Sequence, residues 1–113
     1  METKRQLKVG RLLQRDLSEL LQHELRHLAG AAMLTVTKVL PTPDLAIARV
    51  YISVFGIQDK QQVIQNLQRN TKEVRRLLGN RIRHQLRSIP ELQFFLDDSL
   101  DYIDKIDDLL KGE

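Results

Sequence analysis

His23-Glu24-Leu25-Arg26-His27 sets two imidazoles four residues apart around a glutamate. On a helix that spacing puts both rings on one face, where they can hold zinc while the carboxylate serves as general base. Leu28-Ala29-Gly30 extends the match to H-E-x-x-H-x-x-G, the opening of a zinc-protease signature. The next ligand position is Met33, however, a neutral thioether where zinc prefers nitrogen, thiolate or carboxylate. Arg26 also brings a cation within a turn of any bound dication. The motif is therefore read as two surface histidines on the polar side of the first helix, with no metal and no cofactor expected.

Other catalytic constellations are missing too. His84 lies among arginines, and Ser18, Ser53, Ser88 and Ser99 have no histidine-acid partner that the sequence argues for. Gly10, Gly30, Gly56, Gly79 and Gly112 are scattered and form neither phosphate-binding glycine signature. The chain has no cysteine, which excludes disulfides, thiolate metal sites and cysteine nucleophiles. A chain with no enzymatic activity is expected.

The charged residues carry more information. Although the net charge is only +3, Arg69, Lys72, Arg75, Arg76, Arg81, Arg83 and Arg87 face the single acid Glu73 between positions 69 and 87. From Glu91 onward the balance reverses, with Asp97, Asp98, Asp101, Asp104, Asp107, Asp108 and Glu113 against Lys105 and Lys111. Guanidinium keeps its charge at physiological pH and offers forked donors to phosphate oxygens, so the basic run points to a polyanion. A second basic stripe, Lys4, Lys8, Arg11 and Arg15, has steps of four, three and four. Those steps keep it on one helical face. Solvation of a helix surface is the bland alternative for both. Aromatic residues are few, and the longest strand carries no aromatic pair of the kind that stacks RNA bases. Tyr51 and Phe95 are read as single rim residues.

These residues need elements to position them. Val9, Leu13, Leu17, Leu20, Leu21 and Leu28 recur at helical steps and predict one helix over residues 4–28. Leu34 to Leu40 reads as a strand, ended by Pro41-Thr42-Pro43-Asp44. Leu45 to Phe55 alternates, with Ala46, Ala48, Val50, Ile52 and Val54 on one face and Arg49, Tyr51 and Ser53 on the other, and should run antiparallel to the first strand. Val63, Leu67, Val74, Leu78, Ile82 and Leu86 predict a second helix. The polar pair Asn70-Thr71 interrupts its apolar stripe, which predicts a kink at Asn70, Thr71 and Lys72 with a basic face continuous across it. Ser88-Ile89-Pro90 should end that helix. Leu92, Phe94 and Leu96 alternate as a third strand, and Tyr102 to Leu110 read as a short C-terminal helix capped by Asp98 or Ser99.

With 113 residues and no linker or repeat, the whole chain 1–113 is expected to form one α+β domain. Its core should comprise Leu13, Leu17, Leu20, Val36, Val50, Ile52, Leu67, Val74, Leu78 and Phe94 under helices one and two. No stretch is apolar enough to span a membrane and no secretory leader is visible, so a cytoplasmic monomer is expected.

Leu34-Thr35-Val36-Thr37-Lys38-Val39, Pro43-Asp44-Leu45, Ala48-Arg49-Val50-Tyr51-Ile52-Ser53-Val54, Arg75-Arg76-Leu77-Leu78-Gly79 and Ile89-Pro90-Glu91-Leu92-Gln93-Phe94, in this order and spacing, resemble the ribosome-binding factor A family. The resemblance covers about residues 5 to 110. It implies a type II KH-like fold and a role as an assembly factor on the free 30S small ribosomal subunit and its 16S rRNA, late in maturation and rRNA processing. That family has an Ala-x-Gly kink where this chain has Asn70-Thr71-Lys72, and a short Asp-Pro-Arg-like turn where this chain has Leu28 to Met33. The expected RNA-binding residues are Lys4, Lys8, Arg11, Arg15, Arg69, Lys72, Arg75, Arg76, Arg83 and Arg87. A KH-like adaptor whose basic face meets an acidic protein is the competing reading, and a metallohydrolase built on His23 and His27 is the third.

Overall fold

A computed structural model describes residues 3–98. The order is α1 (Lys4–Gln22), a 3-10 turn (Arg26–Leu28), β1 (Met33–Pro41), β2 (Ile47–Phe55), α2 (Lys60–Arg69), α3 (Thr71–Ile82) and β3 (Glu91–Leu96). This is the helix-strand-strand-helix-kinked helix-strand order expected of a type II KH-like fold. The C-terminal helix expected over Tyr102 to Leu110 lies outside the described residues.

Helix α1 starts in a reciprocal capping box. Gln6 N–H donates to Thr3 Oγ1 at 3.1 Å, and Thr3 N–H donates to Gln6 Oε1 at 2.8 Å. The amide of the same Gln6 then donates to the Pro41 carbonyl at 3.0 Å, tying the helix start to the end of β1. Gln14 Nε2 makes a similar tie farther along, 3.1 Å from the Val36 carbonyl and 3.2 Å from that of Thr37. Gly10 sits between these two glutamines at a close approach of α1 to β1, where a Cβ would come within 2.7 Å of the Val39 carbonyl oxygen.

The expected helix to residue 28 is a correction. At His23 the chain leaves the α conformation (φ −122°, ψ −92°), and Arg26–Leu28 forms a 3-10 turn with Gly30 at φ +60° beyond it. The turn reverses the chain towards β1 while Leu25, Leu28 and Ala29 remain in the core. Periodicity alone could not show it, because 3-10 and α turns space their apolar residues alike over so short a stretch.

The sheet order is β1-β2-β3, with β1 antiparallel to β2 and β2 parallel to β3. Ala48, Val50, Ile52 and Val54 of β2 are buried, and all ten residues expected in the core are buried with them. Helix α1 packs mainly on β1, and α2 on β3 and β2. Ser53 departs from expectation, being buried instead of exposed beside Arg49 and Tyr51. On β3, Gln68 of α2 makes two backbone contacts. Its amide donates to the Leu92 carbonyl at 3.3 Å, and its oxygen accepts the Phe94 N–H at 3.0 Å.

Candidate nucleic-acid interface

The kink expected at Asn70-Thr71-Lys72 falls on one residue. Asn70 ends α2 and starts α3 with φ −102° and ψ 17°, a sparsely populated backbone region. Its side chain bonds backwards, Nδ2 donating to the Asn66 carbonyl at 2.8 Å, and so closes α2 without capping α3. The polar interruption thus acts as an Asn C-cap. Thr71 Oγ1 is buried without a partner, and Lys72 is exposed at the first turn of α3.

Beyond the kink the basic residues divide by role. Arg69, Lys72, Arg76, Arg83 and Arg87 are exposed and make no hydrogen bond or ion pair among the described residues. Arg75 is half-buried, with Nε donating to the Pro90 carbonyl at 3.1 Å and Nη2 to that of Ile89 at 2.7 Å. It therefore clamps the segment that leads into β3. The continuous helical face expected through Arg87 is corrected as well: α3 stops at Ile82, and Gln85 and Leu86 N–H close a turn on the Ile82 carbonyl. Arg83 and Arg87 therefore project from the α3–β3 connection and not from the helix.

On α1, Lys4, Lys8, Arg11 and Arg15 are all exposed, as the stripe predicts. Arg81 joins the two surfaces. Its Nε donates to Asp16 Oδ1 at 3.1 Å and its Nη2 pairs with Glu19, while Arg15 Nη2 reaches Asp16 Oδ2 at 3.3 Å. The Asp16 hydrogen bond, foremost, raises the Arg81 pKa, against the opposing effect of desolvation. Asp16 is a buried carboxylate bridging a cation of α1 and one of α3, so the two helices are held against each other.

The histidine motif does not lie on one helical face. His23 caps α1 and His27 belongs to the 3-10 turn, and both are exposed. Among the described residues no three His, Cys, Asp or Glu side chains are grouped so as to hold a metal ion. No helix among them is long and apolar enough to cross a membrane.

A family profile described as ribosome-binding factor A matches residues 5–110. The chain belongs to that family. Curated members similar to it include ribosome-binding factor A of Christiangramia forsetii, 43% identical over 113 residues that cover 99% of this chain and 86% of the relative. The Prosthecochloris aestuarii member is 44% identical over 105 residues, 92% of this chain and 84% of the relative. Among solved structures, the crystal structure of ribosome-binding factor A from Thermus thermophilus aligns with a TM-score of 0.68 at 23% identity, covering 80% of this chain and 94% of the other. A Thermus thermophilus ribosome-binding factor A homology model, fitted into the cryo-EM map of its complex with the 30S subunit, aligns at 0.61 and 25% identity, covering 77% of this chain and 89% of the other. The fold is that of ribosome-binding factor A, KH-like with a mixed three-stranded sheet.

Proposed function

We propose that this chain is a non-enzymatic assembly factor that binds the free small ribosomal subunit through 16S rRNA, in the cytoplasm, during late maturation and rRNA processing. The observation that carries the reading is membership of the ribosome-binding factor A family over residues 5–110. The Thermus thermophilus relative seen with the 30S subunit supports the choice of subunit. Physically, two helical surfaces present cations that the fold does not consume, which is what phosphate contacts require. Lys4, Lys8 and Arg11 form one surface, with the exposed Arg15 beside them sharing its charge with Asp16, and Arg69, Lys72 and Arg76 form the other, extended by Arg83 and Arg87. Arg75 serves here as a structural clamp, and its contribution to RNA is indirect.

Sedimentation of cell extract at low salt, with each gradient fraction probed for this chain, tests the reading. The chain should travel with free 30S subunits and be displaced by added 16S rRNA. Remaining at the top of the gradient, or displacement by an acidic protein but not by rRNA, would sink the proposal in favour of an adaptor.

A further inference from the structure

Among the described residues, the face of the sheet opposite α1 and α2 is covered by no helix. It carries Lys38 from β1, Arg49, Tyr51 and Phe55 from β2, and Gln93 and Phe95 from β3. The parallel register sets Tyr51 directly beside Phe95, and the two rings stack with centroids 5.4 Å apart and planes 26° apart. Across the antiparallel pair, Lys38 Nζ lies 4.6 Å from the centre of the Tyr51 ring.

A β-bulge makes this arrangement. Between Val36 and Lys38 the register shifts by one residue, so that Lys38 and not Thr37 lies opposite Tyr51. In an unbroken ladder Lys38 would point into the core, since successive side chains alternate faces. The Thr37 hydroxyl, left at the bulge, lies 3.2 Å from the Tyr51 carbonyl and 2.5 Å from Asp97 Oδ2. Arg49 is exposed two residues before Tyr51 on the same face. The acids on this face, Glu91 and Asp97, stand at the two ends of β3 and leave its centre to the rings and cations.

We propose that this face is a second RNA contact, in which an unpaired base stacks on the Tyr51–Phe95 pair while Lys38 and Arg49 meet the flanking phosphates. The proposal rests on the rRNA-binding reading above and adds a contact of a different kind. The helical cations hold phosphates of any strand, whereas a ring platform requires a base lifted out of a duplex. Phe95 on the edge strand β3 is 40% exposed, enough to offer a ring face. An apolar protein partner would fit the rings equally well but would leave Lys38 and Arg49 to be desolvated without an anion, and for that reason RNA is favoured.

The test uses the full chain and two single-stranded 12-nucleotide RNAs of equal phosphate number, one intact and one abasic at its three central positions. The intact strand should bind about five- to 150-fold tighter, the range of one stacked base. Replacing both rings, Tyr51→Leu with Phe95→Leu, keeps apolar bulk on the strands and should abolish the preference while leaving abasic-strand affinity and its salt dependence unchanged. Tyr51→Phe alone should retain the preference. In the unaltered chain, the intact strand should move the Phe95 and Tyr51 ring-proton resonances upfield, a readout that needs no variant to fold. Equal affinity for the two strands with steep salt dependence, or no ring-proton shift, overturns the platform and leaves the phosphate reading standing. Failure of either strand to bind even at low salt removes both.

Discussion

Asp16 Oδ1 accepts the Arg81 Nε at 3.1 Å across 65 positions of sequence, fixing α3 against α1 through one nearly buried carboxylate. Removing the guanidinium leaves that carboxylate with Arg15 alone, whose side chain is 62% exposed. Arg81→Leu should cost about 2 kcal/mol, less than a fully buried pair because Arg81 keeps part of its side chain in water. In a double-mutant cycle with Asp16→Leu, urea denaturation should give a coupling of about 1–2 kcal/mol. Additive single effects would show that the pair does not join the helices.

Gly10 and Gly79 are both helical glycines, and alanine should act oppositely at them. At Gly10 a methyl would meet the Val39 carbonyl oxygen at 2.7 Å, and this atom is backbone that cannot swing aside. Gly10→Ala should therefore destabilise by about 1–3 kcal/mol despite its better helix propensity. At Gly79 the nearest atom is a side-chain carbon of Ile89 at 3.4 Å. Gly79→Ala should be neutral or stabilising by up to about 1 kcal/mol. Thermal unfolding of the two variants in parallel checks the contrast.

Arg75 and Arg76 are neighbours with different duties. Arg75→Ala loses two hydrogen bonds to the Ile89 and Pro90 carbonyls and should cost about 1–3 kcal/mol of stability. Arg76→Ala should cost almost none, and should instead weaken RNA binding. Chemical denaturation together with a binding titration separates these outcomes, and an exchange of the two effects would refute the division.

If roughly five of the exposed cations neutralise phosphates, log affinity for RNA should fall with log salt with a slope of about −3.5 to −4.5. Removing Lys72 or Arg76 should weaken binding to different RNAs alike and reduce the slope by about one per residue. Reversing both to Glu, with circular dichroism confirming retained helix, should release the chain from the small subunit at moderate salt. Continued comigration would place the main grip on Lys4, Lys8, Arg11 and Arg15.

The elements were legible in the sequence because each buries one periodic face: leucines at three- and four-residue steps in α1, alternate residues in β2. Even the break at Asn70 showed itself, since the stripe lost an apolar position there, between Leu67 and Val74. Leu86 misled, because it continues the four-residue step past Ile82 although the helix has already ended. The cation roles were less legible. Arg75 looks like any outward arginine until the α3–β3 connection folds back against it. Asp16 attracted no notice as a lone acid, because its partner is distant in sequence. Tyr51 and Phe95 read as isolated residues, since only the parallel register and the bulge at Thr37 put them side by side with Lys38 above. Local patterns reveal which face is apolar, whereas pairings between elements depend on registers that they do not encode.

The glutamine ties have a consequence for assembly. With the order β1-β2-β3, the first and third strands are the two margins of the sheet, and a bare margin is a template on which another copy's strand can add. Gln14 occupies backbone carbonyls on β1, and Gln68 engages both a donor and an acceptor on β3, as a further strand would. Two neutral amides thus take up part of the hydrogen-bonding capacity of each margin without spending any positive charge. Side-chain amides from the helices stand where part of a neighbouring strand's backbone would, so the same helices that cover the core also partly cap the sheet's two edges.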